Sequence, residues 1–280
     1  MLPSVFQYQF MQYAILAGIC GGITCAITGV FVVTMHLSFI GVCVAHAAFA
    51  GALLGILIGV NPLIGALLFS LTSAIAIGPM ADRGELNPDT SIGIVFSFML
   101  GLSFLFIGLM PGSRTEALNL FWGSILTVTR QDLVFLVIVT CILIGLVVVF
   151  YKEIQAVICH RTVALAVGIS ATFVFYALLV LTGLTVTASM RSIGGLLVYS
   201  LIVNPAAAAY QLTYNLRRML VIASVFGVIS CLAGLASSYF FNLPSVAAIV
   251  ITSSIIFGIS MAFSPKRKTK KWQQAMTHHV

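Results

Sequence analysis

Leu133 to Tyr151 reads LVFLVIVTCILIGLVVVFY and carries not one charge. A helix rising about 1.5 Å per residue needs roughly 20 such residues to cross the hydrocarbon core of a bilayer. Three further stretches, Tyr13 to Thr34, Ser91 to Met110 and Ala247 to Phe263, have the same character. Four such runs in one chain make an all-α, polytopic integral membrane protein. Composition agrees: 61% of the 280 residues are hydrophobic and 7% are charged, too few to wet the surface of a soluble domain.

Apolar runs and their breaks predict about nine spans, near 13–34, 38–60, 62–80, 91–110, 132–151, 164–184, 193–212, 219–238 and 245–263. Turn chemistry marks several breaks: Asn61-Pro62, the polar stretch Asp82 to Asp89, Pro111-Gly112-Ser113 and Asn242-Leu243-Pro244. His36 to Ser38 reads as a break or a short re-entrant segment, and Leu184 to Ser192 as a break or a half-helix, so the count runs from eight to ten. Nine spans use nearly the whole length, which implies one transmembrane domain over 1–280 ending in a basic tail, 264–280. The N-terminus has no Lys, no Arg and no small-residue cleavage site, so Tyr13 onward reads as a retained span and not a signal peptide. The six cysteines are scattered without a CxxC and mostly sit in apolar runs, as small packing residues.

Positive charge orients the chain. With the C-terminus inside, the cytoplasmic connections hold Arg83, Lys152, Arg161, Arg217, Arg218, Lys266, Arg267, Lys268, Lys270 and Lys271, ten in all. The outer connections hold three, Arg114, Arg130 and Arg191. The tail is therefore expected in the cytoplasm and the N-terminus outside. The net charge of +7 is largely that tail, a positive-inside anchor able to touch anionic lipid, with no nucleic acid implied.

Two mechanisms of self-powered transport find no support. A phosphate cradle of the form GxxxxGK[ST] is missing, since no Gly-Lys pair occurs. Buried carboxylates, which proton or sodium coupling needs, are also lacking, because Asp82, Glu85, Asp89, Glu116, Asp132 and Glu153 all fall in loops or at span ends. What remains is a permease driven by a separate ATPase, a channel, or a structural membrane subunit.

Inside the second span stands His46, in SFIGVCVAHAAFAG from Ser38 to Gly51. Gly41, Ala45, Ala48 and Ala52 give it small-residue spacing that allows close helix approach. The histidine is either hydrogen-bonded within the bundle or a ligand to a passing metal. Cys43, three residues earlier, shares its helix face and is a second candidate ligand or a packing residue. A second stretch, KEIQAVICHRTVALAVG from Lys152 to Gly168, reads as an amphipathic helix and a bend that presents a knob to a cytoplasmic partner, or as an ordinary basic loop.

The chain resembles the metal-ion ABC permeases, the membrane subunits of zinc, manganese and iron importers, over nearly its full length. The resemblance rests on ordered blocks: Leu37 to Gly41 leading to Ala45-His46-Ala47-Ala48, Asp89 to Ile94, Leu120 to Leu126 with Asp132, and Ala164 to Gly168. Ile193-Gly194-Gly195-Leu196-Leu197 through Asn204-Pro205 to Ala209 follows, then Gly234 to Tyr239 with Leu243-Pro244-Ser245. It implies a type II importer-like fold, a second permease copy or paralogue, two copies of a cytoplasmic ATPase that alone binds ATP, and an extracytoplasmic metal-binding protein. It also implies a prokaryotic plasma membrane and a transported divalent metal, with no permanent cofactor and no enzymatic activity in this subunit. Similarity to vitamin B12 and siderophore permeases assigns the ATPase coupling loop to Cys159, His160, Arg161, Ala164 and Gly168. Gly41, Ala45, Gly194, Gly195 and Pro205 are implied at close helix packing. Two positions depart from the family pattern. Val42 stands where an acid commonly precedes the histidine by four, and Cys159-His160-Arg161-Thr162 replaces a coupling stretch that usually holds an acid and a Pro. Rival readings are a permease of the same architecture for a siderophore or cobalamin, and a membrane subunit that assembles without conducting.

Overall fold

The computed structural model describes residues 8–82, 87–110, 123, 125–159 and 161–264. Among them nine helices are long and apolar enough to span a bilayer. These are α1 Gln9–Thr34, α2 Ile40–Leu57, α3 Pro62–Asp82, α4 Pro88–Leu109, α5 Arg130–Val149, α8 Ala171–Ile193, α9 Gly195–Leu212, α10 Leu216–Phe241 and α11 Ser245–Ala262. Two short helices, α6 Tyr151–Cys159 and α7 Arg161–Ala166, lie between the fifth and sixth spans, and a 3₁₀ turn, Ile125–Thr127, precedes α5.

Helix starts follow local chemistry. Pro62 and Pro88 open α3 and α4, where a missing N–H costs nothing and φ is already helical. Thr129 caps α5 in a capping box with Asp132, each side chain meeting the other residue's backbone N–H. Asn215 Oδ1 accepts from the N–H groups of Arg217 and Arg218 at the start of α10. Pro111 to Ser113 and the tail from 265 onward lie outside the described residues.

The two ambiguous breaks resolve differently. His36 is a left-handed residue, φ 57°, closing α1 in a Schellman turn: Leu37 N–H donates to Val32 O at 2.9 Å and His36 N–H to Val33 O at 3.3 Å. Leu37 is then buried, and α2 begins within a few residues, so this is a tight corner and not a re-entrant segment. Leu184 to Ser192, by contrast, is neither a break nor a half-helix. α8 runs through it to Ile193, and the chain turns only at Gly194, φ 89°. The sixth span therefore occupies Ala171–Ile193 in place of the expected 164–184. The polar residues that suggested a loop are satisfied within the bundle. Thr185 accepts from Thr28 of α1, Thr187 donates to Ser70 of α3 at 2.7 Å, and Ser192 Oγ stands 3.1 Å from the Ala188 carbonyl.

α1 and α2 are mostly enclosed, α4 and α11 mostly peripheral. Glycine sets close approach at several crossings, and at two of them glycine faces glycine. A Cβ on Gly51 of α2 would collide with the Gly65 carbonyl of α3, and a Cβ on Gly22 of α1 would lie 2.9 Å from the Gly227 carbonyl of α10. Association in lipid gains little from apolar burial, so backbones that touch are what van der Waals packing requires.

Candidate functional site

His46 lies on α2, half-buried, with Nδ1 2.9 Å from the Val42 carbonyl of its own helix. With Nδ1–H as donor to that carbonyl, the tautomer puts the lone pair on Nε2. The ring stands edge-on to Phe96 of α4, centroids 5.0 Å apart at 83°. Val42 is half-buried one turn before it and Phe39 is exposed, so Phe39, Val42 and His46 form the open edge of α2. Cys43 is fully buried in the core. Helical spacing puts it beside His46 in projection, yet only the histidine reaches the open edge. No group of three or more His, Cys, Asp or Glu side chains able to hold a metal occurs among the described residues.

The small residues expected at close helix packing play different parts. A Cβ on Gly41 would meet Tyr199 and Ile202 of α9 at ordinary contact distance, and Ala45 is buried. Gly194 supplies the positive φ of the α8–α9 corner, where Gly123 approaches so closely that a Cβ on Gly123 would overlap the Gly194 backbone. Gly195 and Pro205 are buried in α9.

One pair escaped the sequence reading. Asp132, at the start of α5, meets Arg191, in the last turn of α8, with Nε 2.5 Å from Oδ1. The Asp132 side chain is 9% exposed and the Arg191 side chain 39%. Thr129 Oγ1 donates to the other carboxylate oxygen at 2.5 Å, and Ser192 donates to the Asp132 carbonyl at 3.5 Å. Arg191 also lines a cavity of about 140 Å³ with Ala48, Ala52, Pro62, Ala66 and Thr187, further along α2 than His46. The sequence signal was Thr129-x-x-Asp132 before an apolar run, a cap signature that locates Asp132 but not its partner.

At the other end of α5 and α8, Cys159 closes α6 and is exposed, and Arg161 opens α7. His160 lies outside the described residues. Ala164 is buried against Val157 and Ala171. Gly168 ends α7 in a Schellman turn at φ 87°, donating to Leu165 O at 3.1 Å while Ile169 donates to Ala164 O at 3.0 Å. Nothing lies within 4 Å of where its Cβ would stand, so the bend needs glycine for backbone freedom and not for space. Val163, Leu165 and Val167 are all more than half exposed on this short unit.

Residues 7–264 match the family described as the ABC 3 transport family. The chain belongs to the ABC 3 transport family. It is 35% identical over 266 residues, 95% of each chain, to the manganese transport system membrane protein MntC of Listeria monocytogenes. It is 28% identical to the high-affinity zinc uptake system membrane protein ZnuB of Haemophilus influenzae, over 91% of this chain and 98% of that one. In structure it is similar to PsaBC from Streptococcus pneumoniae, solved in complex with Fab, with a TM-score of 0.84, 30% identity and coverage of 96% and 97% of the two chains. The nine-span bundle is thus the fold of an ABC transporter permease, as the family resemblance implied.

Proposed function

We propose that this chain is the membrane permease of an ATP-driven importer that brings a divalent transition metal, manganese or zinc, into a prokaryotic cell. The observation that carries the proposal is the end-to-end sequence similarity to membrane proteins of manganese and zinc transport systems, with PsaBC sharing the fold at a TM-score of 0.84. ATP hydrolysis belongs to a separate cytoplasmic ATPase pair. The exposed apolar side chains Val163 and Leu165 on α7, and Val167 in the turn after it, suit docking to it, because an apolar patch on a short element outside the spans is a contact surface. Cys159 to Gly168 is accordingly the proposed coupling unit, on the cytoplasmic side that the charge asymmetry favours, with the C-terminal tail on that side too.

His46 is the proposed pathway ligand. A divalent ion leaving water needs several donors and compensating charge, and one neutral imidazole supplies one donor and no charge. With Val42 in the place of an acid and Cys43 turned into the core, a second permease copy or paralogue facing the open edge of α2 is the proposed source of the remaining ligands. An extracytoplasmic metal-binding protein would deliver the ion at the end where Asp132 and Arg191 lie.

The test is co-purification of the chain with a cytoplasmic ABC ATPase from its own cells and reconstitution of the complex, followed by uptake of radioactive manganese and zinc into vesicles. ATP-dependent accumulation of either ion is expected. No co-purifying ATPase together with no uptake would refute the importer reading, and uptake only of a chelated metal would move the substrate to a chelate.

A further inference from the structure

Between α5 and α8 runs a groove of about 600 Å³ that lies away from His46 and meets the proposed coupling unit only at Gly168. Its walls are apolar, among them Leu146, Phe150, Phe173 and Leu181, and it extends along α8 from Ser170 to Leu184. At 1.5 Å per residue that is about 21 Å, more than one leaflet of a hydrocarbon core about 30 Å thick. Phe150 is 46% and Phe173 72% exposed, so the groove opens sideways, toward what surrounds the bundle. At its interfacial end lies Glu153, on α6 just beyond the last residue of α5.

Glu153 is the informative residue. Its Oε2 is buried and has no hydrogen-bond partner among the described residues. A carboxylate accepts hydrogen bonds and donates none, so an oxygen of this kind calls for a donor, and a cationic one binds it most strongly. Among the described lining residues the polar side chains are Glu153 and Ser170, both at the interfacial end. A non-helical peptide laid along the groove would press its backbone N–H and C=O groups against hydrocarbon, which is costly. An acyl chain brings no such groups.

We propose that this groove binds a phospholipid whose headgroup carries a protonated primary amine, the acyl chain lying between α5 and α8 and the ammonium donating to Glu153. The carboxylate disfavours purely anionic headgroups, so the preference is opposite to that of a basic tail. Charge-assisted hydrogen bonding at a partly solvated interface corresponds to a few-fold up to about tenfold in retention.

The experiment uses the full chain, purified in mild detergent and depleted of lipid. It is then given phosphatidylethanolamine, phosphatidylcholine or phosphatidylglycerol with identical acyl chains, and bound lipid is counted by native mass spectrometry. Phosphatidylethanolamine is expected to be retained about tenfold more than phosphatidylglycerol, with the choline lipid between. Glu153→Gln should abolish the discrimination while keeping some binding of all three, and Ala177→Trp, which fills the groove, should lower retention of all three together. Size-exclusion profiles confirm that each variant is folded, and Ala177→Trp serves if Glu153→Gln is not. Equal retention of the three lipids by the unaltered chain overturns the proposal, as does unchanged retention in Ala177→Trp. Crosslinking of a photoreactive group at position 177 to a co-purifying protein instead of lipid would assign the groove to a protein neighbour and overturn it equally.

Discussion

His46 and Cys43 sit three residues apart on one helix, and they differ in burial, the histidine half-buried and the thiol fully buried. His46→Ala is expected to lower metal uptake by at least tenfold, the scale on which even supporting residues of a metal site act, with the complex still assembled. Normal uptake by an assembled His46→Ala complex would leave the histidine as a packing residue. Cys43 is fully buried, so Cys43→Ala should leave the preference between manganese and zinc unaltered, and its effect should appear in thermal stability. A shift in metal preference on Cys43→Ala would return the thiol to the pathway.

The same scale holds the Asp132–Arg191 pair. Because Arg191 is over a third exposed, solvent weakens the attraction, and a coupling of about 1 kcal/mol is expected from a double-mutant cycle of Asp132→Asn and Arg191→Gln. Asp132→Asn retains a cap oxygen for α5, so the cycle isolates the ion pair from the helix start. A coupling indistinguishable from zero would show that the two side chains are neighbours without consequence.

Among the elements, α7 and its terminal glycine make the sharpest statement. Gly168 has open space around it and a φ of 87°, so strain and not crowding governs substitution. Gly168→Ala and Gly168→Leu should impair stimulation of the ATPase alike, each side chain costing about 1–2 kcal/mol in the left-handed region, whereas Gly168→Asn should be tolerated best. A much larger loss with Leu than with Ala would mean that the bend is crowded in the assembled transporter. Gly51 is the opposite case: its Cβ would strike the Gly65 carbonyl, so Gly51→Ala should destabilise by about 1–3 kcal/mol, while Gly101→Ala, with nothing within 4 Å, should not. Thermal unfolding in detergent compares the pair, and equal midpoints would show that α2 and α3 can separate at no cost.

For the whole molecule, nine spans among the described residues, an odd number, would set Gln9 and Ala262 on opposite sides of the membrane. In a background lacking the native cysteines, Gln131→Cys, at the start of α5, should be labelled by an impermeant thiol reagent in intact cells. Gln155→Cys, on α6, should be labelled only after permeabilisation. The reverse pattern would invert the bundle and remove α7 from the ATPase side.

The number of spans, their helical nature and most corners are readable along the chain, because membrane insertion is decided by contiguous hydrophobicity and because Pro62, Pro88 and Asn242 act on their own neighbours. His46 is likewise visible, being a polar residue in an apolar run. Leu184 to Ser192 is the instructive exception. Its hydroxyls are costly in lipid and cheap inside a bundle, and only the partners on α1 and α3, more than 100 residues away in sequence, make it helix. The Asp132–Arg191 pair, the withdrawal of Cys43 into the core and the groove ending at Glu153 have the same origin. Each depends on which helices become neighbours, a property of backbone contacts such as Gly51 against Gly65 that no single stretch of sequence contains.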